Sequence, residues 1–169
     1  MTSDRRLGEG FIGRLFAYAA RMRVRVLVVA GVVVAAGSGC GGEDGSGRSA
    51  KEVADALADV ADGEVIEMTE DTDPNDLLGR PNGYEAAVVI KDPRLDEPCD
   101  DLGVDCGVTI EEWGDADDAE DRSEYIQGLL EEVSMFGSEY HYFDGPLLVR
   151  VTGELTPSEA EEYEAALDG

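Results

Sequence analysis

Three stretches of this chain hold side chains that could do chemistry. The first is Asp71–Tyr84, DTDPNDLLGRPNGY. Asp71, Asp73 and Asn75 fall at the first, third and fifth places of an EF-hand-type calcium loop, where oxygen ligands are needed. Asp76 then stands where that loop requires glycine, and Asn82 where it requires a bidentate glutamate. A turn accounts for more of the residues. Asp73 can cap a helical turn with Pro74 at its first position. Gly79 can stop that turn in a left-handed conformation, and Pro81-Asn82-Gly83 can make a second turn leading into Tyr84. The second stretch, EPCDDLGVDCG, places Cys99 and Cys106 with six residues between them. In an exported chain a disulfide closing this small loop is the natural reading. A metal site would need further ligands, and no CxxC is present. The third is EYHYF, with the single histidine, His141. A nucleophile needs a base beside it, yet this base lies in a strand-like run, where a structural role is the simpler account. Carboxylates are too numerous for any one pair to mark a glycosidase-like site. GSGCGG precedes no Walker lysine, so neither a phosphate loop nor a dinucleotide fingerprint is found. These residues predict no catalytic set, no cofactor and no bound metal.

The charge is lopsided. Six of the 13 Lys/Arg but only two of the 39 Asp/Glu lie in residues 1–40, leaving seven basic and 37 acidic side chains beyond, a net of −30. Such a surface repels nucleic acid and anionic headgroups and favours cations and basic partners. Within residues 1–40, MRVRVLVVAGVVVAAGSGC (Met22–Cys40) has Arg21, Arg23 and Arg25 around its start, then an apolar run, then small residues. That order predicts a secretory signal over residues 1–39, with Met22 a start that gives a more usual leader length. The uncharged part, Val26–Gly39, has 14 residues, fewer than the roughly 18 a membrane span needs. With Ser38, Gly39 and Cys40 in sequence, the segment resembles the bacterial lipoprotein signal, although Gly37 replaces the usual aliphatic residue. The resemblance implies an acylated Cys40 as the lipid attachment residue. The glycine-rich stretch up to residue 49 would then be a flexible tether.

Residues 50–169 read as one domain. Ser49 and Glu52 form a capping box for a first helix, with Val53, Leu57, Val60 and Ala61 on one face and Gly63 as its left-handed stop. Tyr84–Lys91 alternates, with Tyr84, Ala86, Val88 and Ile90 on one side, and Gly107–Trp113 turns Val108 and Ile110 inward. Asp115 starts a second helix of four to five turns whose core residues are Ala119, Ile126, Leu129, Leu130 and Val133. EYHYF and PLLVRVT flank Asp144-Gly145, a hairpin signal that puts Pro146 at the start of its strand. Thr156, Pro157 and Glu159 open a last helix with Ala160, Tyr163 and Leu167 inward. The predicted fold is α+β, in the order α-β-β-α-β-β-α: a four-stranded antiparallel sheet with helices on one face. The other face would be open, lined by Glu85, Lys91, Glu111, Arg150 and Thr152.

DPNDLLGRPNGY, IEEWGDADDAEDRSEYIQGLL and YFDGPLLVRVTGELTPSEAEEYEAAL together resemble a group of small uncharacterised lipoproteins of high-GC Gram-positive bacteria. The resemblance runs from about Asp71 to the end, DPNDLLGRPNGY being its most specific part. It implies an extracytoplasmic, lipid-anchored location and no known activity. The expected function is therefore a membrane-anchored, non-catalytic interaction module. Arg80, Asn82 and Tyr84 would form the contact loop, and the partner would be a protein or ligand, with a basic one favoured. The alternatives are a freely secreted or cation-responsive acidic domain and a carboxylate-based hydrolase.

Overall fold

The computed structural model describes residues 47–133 and 137–169. The leader and Cys40 lie outside the described residues. Five strands form one wholly antiparallel sheet in the order β1-β2-β3-β5-β4: β1 Glu64–Glu67, β2 Ala86–Lys91, β3 Gly107–Glu112, β4 Glu139–Asp144 and β5 Leu147–Thr152. Three helices accompany it: α1 Ala50–Ala58, α2 Ala116–Glu132 and α3 Pro157–Asp168. The α+β antiparallel plan matches the expectation, but the sheet has five strands instead of four. The extra one, β1, is the four-residue EVIE, which pairs at the edge with Lys91–Val88.

The helices also occupy both faces, not one. On the first face, α1 and α3 cover Val88, Ile90, Val108, Ile110, Leu147, Val149 and Val151. The alternate residues of the same strands point the other way. They are Ala87, Val89, Thr109, Glu111, Leu148, Arg150 and Thr152, all buried. On that second face, α2 packs over β4 and β5, and Met68, Leu78, Tyr84, Trp113 and the disulfide loop pack with Ala87, Val89 and Leu148. Of the polar residues expected on an open face, Glu111, Arg150 and Thr152 do lie here, but buried. Tyr84 belongs to this second cluster, across the sheet from Val88 and Ile90. The strand begins only at Ala86, so the alternation does not extend back to Tyr84.

Local signals set the helix starts. Ser49 and Glu52 exchange bonds as a capping box. Asp115 accepts from the Asp118 N–H, and Glu159 accepts from the N–H and hydroxyl of Thr156. Along α2 the buried residues are Ala119, Ser123 and Ile126, while Leu129, expected in the core, is 37% exposed. The hairpin pairs Asp144 with Leu147, so its two loop residues are Gly145 and Pro146, one position later than expected. Gly145 has φ 58°, the positive value that a type II′ turn places at its first central position. After α1 the left-handed residue is Asp62 (φ 53°), not Gly63. Gly63 is required for close approach: a Cβ there would lie 2.5 Å from Ile90 Cγ2 and 3.0 Å from the Lys91 carbonyl.

Two polar ties join distant parts. Buried Asp92 accepts from the Tyr163 hydroxyl at 2.8 Å and from Arg94 at 2.7–3.1 Å, fastening the end of β2 to α3. Burial alone would raise the Asp92 pKa; Arg94 and Tyr163 outweigh it and hold the carboxyl below its ordinary value. Arg48 donates to Asp144 and to the Leu167 carbonyl, joining the start of the domain to the hairpin and α3. A Gly63→Ala substitution should cost about 1–3 kcal/mol, as overpacking does. Urea unfolding should show a lower midpoint with an unchanged slope.

Candidate functional site

The loop Asp71–Tyr84 is organised from within by Asp73. Its carboxylate accepts from the N–H groups of Asn75 (2.9 Å), Leu77 (2.7 Å) and Leu78 (2.8 Å), and from the Tyr84 hydroxyl. Burial alone would raise the Asp73 pKa. Donation by Tyr84, Leu78, Asn75 and Leu77 more than offsets it, so the net shift is downward. Burial and the bond to Asp73 together push the Tyr84 phenol well above its usual value. Gly79 is left-handed at φ 69°. The second turn runs from Arg80 to Gly83 (N–H to carbonyl 3.0 Å), with Pro81 and then Asn82 at φ 63° in its centre, the residue choice of a type II turn.

This geometry divides the expected contact loop. Tyr84 is 1% exposed, and its ring meets Trp113 edge-on at 5.6 Å between centroids. It is core, and the proposed contact role for it is corrected. Arg80 and Asn82 are exposed at the tip, with Arg80 paired to Asp76 at 2.7 Å. The calcium alternative loses its third-place ligand, because both Asp73 oxygens already carry donors. The described residues include no group of three or more His, Cys, Asp or Glu placed to hold a metal ion. Cys99 and Cys106 are bonded to each other, as their spacing predicts.

The second face of the sheet carries a buried polar network, two of whose members, Glu111 and Arg150, were expected on an open face. Arg150, on β5, donates to Glu111 on β3 (2.7 Å) and by two bonds to Glu139 on β4 (both 2.8 Å). Two parallel N–H···O bonds are the strongest form of this pairing. His141 follows on β4: Nε2 lies 3.0 Å from Glu139, and Nδ1 lies 2.7 Å from the Ser123 hydroxyl of α2. Burial would raise the Glu139 pKa, but His141 and Arg150 overcome it and lower the value to about 2. Ser123, His141 and Glu139 thus stand in a row like a catalytic triad. The acid, however, is already neutralised by Arg150. The serine lies mid-helix, where its backbone N–H is committed to the helix and cannot serve an oxyanion. The row fastens α2 to β4.

Beside this network α2 and the Asp73 loop leave a groove of about 550 Å³, lined by Asn75, Leu77, Arg122, Tyr125, Ile126, Leu129, Leu130 and Arg150. Sequence reasoning did not single out this site. One signal was available: Arg122 is the sole basic residue of α2, and Tyr125 and Leu129 follow at +3 and +7, on its side of the helix.

No protein-family model, no curated protein and no solved structure matches this chain.

Asp73→Ala removes the acceptor of three backbone N–H groups and of the Tyr84 hydroxyl and should cost about 3 kcal/mol. Tyr84→Phe, which keeps the packing, should cost about 1 kcal/mol; both are read from urea midpoints. Asp73 and Glu139 have folded-state pKa values below their unfolded ones. Their contribution is therefore complete above the unfolded values and is lost as pH falls toward the folded ones. For Glu139 that window runs from 4.5 down to about 2. Thermal unfolding should show stability declining through it, with a shallower decline in Glu139→Gln.

Proposed function

We propose that the chain is a lipid-anchored module on the outer face of the cytoplasmic membrane, attached through acylated Cys40, and that its domain binds a ligand without transforming it. The cysteine set carries this reading. Cys99 and Cys106 are bonded to each other, which suits an oxidising compartment. Of the three cysteines this pairing leaves Cys40, which stands in the sequence after an apolar run and before a glycine-rich stretch. A pair of acyl chains buries enough methylene for stable anchoring, at roughly 0.8 kcal/mol per CH₂. The resemblance to small lipoproteins of high-GC Gram-positive bacteria points to the same location.

The binding part of the proposal draws on the groove beside α2 and on the exposed loop tip at Arg80 and Asn82. Binding is favoured over hydrolysis because Arg150 already neutralises the acid of the only triad-like row among the described residues. A freely secreted domain is the second reading, and the imperfect Gly37 before the cysteine is what favours it.

Detergent phase partitioning of wild type and Cys40→Ala, with intact mass of the mature N-terminus, separates the two. Wild type is expected in the detergent phase, beginning at a lipid-modified Cys40, and Cys40→Ala is expected to remain aqueous. A soluble wild type cut elsewhere would instead make this a secreted domain.

A further inference from the structure

The groove beside α2 differs chemically from the rest of the surface. Beyond residue 40 the chain has 37 acidic and seven basic side chains. Yet two of those seven, Arg122 and Arg150, line this groove, and no Asp or Glu does. The walls are apolar: Tyr125 is 60% exposed and Leu129 37%, with Leu77, Ile126 and Leu130 beside them. Large apolar side chains standing together in a concave site mark a place where something binds. A volume near 550 Å³ lies within the range of small-molecule pockets.

Arg122 distinguishes this groove from a chance depression. Its side chain is only 12% exposed, and its one ion-pair contact is with Glu111 Oε2, at 3.4 Å from Nε. Neither of those two atoms makes a hydrogen bond among the described residues. Arg150 beside it donates three. Nε is buried against Glu111, so a ligand would be met by the two terminal nitrogens, which make no hydrogen bond to a described residue. The planar fork of arginine matches a carboxylate. Arg150 is committed to Glu111 and Glu139 and Arg122 has only its long ion-pair contact with Glu111, so a second negative charge on the ligand would meet repulsion. A monoanion is the best match.

We propose that this groove binds a small apolar monocarboxylate, with Arg122 taking the carboxylate and Tyr125, Leu129 and Leu77 covering the hydrocarbon. This deepens, and rests on, the ligand-binding reading above. Tyr125 would lie beside the carboxylate end of such a ligand, since the Arg122 guanidinium lies 6.0 Å from its ring centre.

The test uses the full chain in phosphatidylcholine nanodiscs and a diazirine-bearing octanoate as photoprobe. Labelling is expected on the peptide spanning Tyr125 to Leu130. Octanoate should compete at about ten-fold lower concentration than octanol, the difference one charge-assisted hydrogen bond supplies. Arg122→Met should erase that difference and leave competition by octanol unchanged. Leu129→Asp, at a wall position where the fold is not at stake, should abolish labelling. Equal competition by octanol and octanoate in wild type, unaltered octanoate competition in Arg122→Met, or labelling that misses α2 would each overturn the proposal. So would stronger competition by a short apolar peptide with a free C-terminus, which would make the occupant a peptide end. Anchoring is scored separately by detergent partitioning. An anchored chain with an unlabelled groove sinks the ligand class alone, and a soluble chain with a labelled groove sinks the anchor alone.

Discussion

Arg150 reaches Glu111 on one neighbouring strand and Glu139 on the other, and the second face of the sheet depends on it. Burying a charged residue in the middle of a sheet is tolerated only when partners surround it. Here the partners come from both sides of β5, so one guanidinium holds three strands in register. The register places Thr109, Arg150 and His141 in one row across the sheet. His141 then extends the network to Ser123 and so to α2. Losing one member of such a set leaves the others buried and uncompensated, which is far costlier than replacing the whole set with apolar residues. The arrangement ties α2 to the sheet through the Ser123–His141 bond.

Asp73 plays a comparable part in the loop. A single carboxylate collects three backbone donors and a phenol, so fourteen residues with no regular secondary structure hold one shape. The exposed tip and the wall of the groove are presented by the same ordered loop.

Much of this was legible in the sequence. Each helix start is a local contract between a cap and a residue three positions on, and Ser49, Asp115 and Thr156 all announced theirs. The first face of the sheet followed in part from alternation, with Val88, Ile90, Val108 and Ile110 on one side as expected. The second face did not, because Glu111, Arg150 and Thr152 have the composition of a wet surface. Only pairing across strands turns them into an interior, and pairing is not visible in one chain read linearly. EVIE was missed because two of its four residues are acidic and the run is too short to show a period. Tyr84 was assigned to the wrong side because its neighbours alternate while the strand itself begins two residues later. The groove was hidden for a further reason: it is built by α2 and a loop some forty residues earlier, meeting over β5.

The Arg48 bonds to Asp144 and the Leu167 carbonyl bring the two ends of the domain to one pole. The path of the backbone is thus close to a closed ring, which Arg48 completes without a covalent link. Compact folds of this kind tolerate circular permutation. A short linker across that pole would let the chain be opened at the exposed Asp96–Glu97 bend with every strand pair intact. Anything that continues the chain at one end leaves the domain beside whatever continues it at the other.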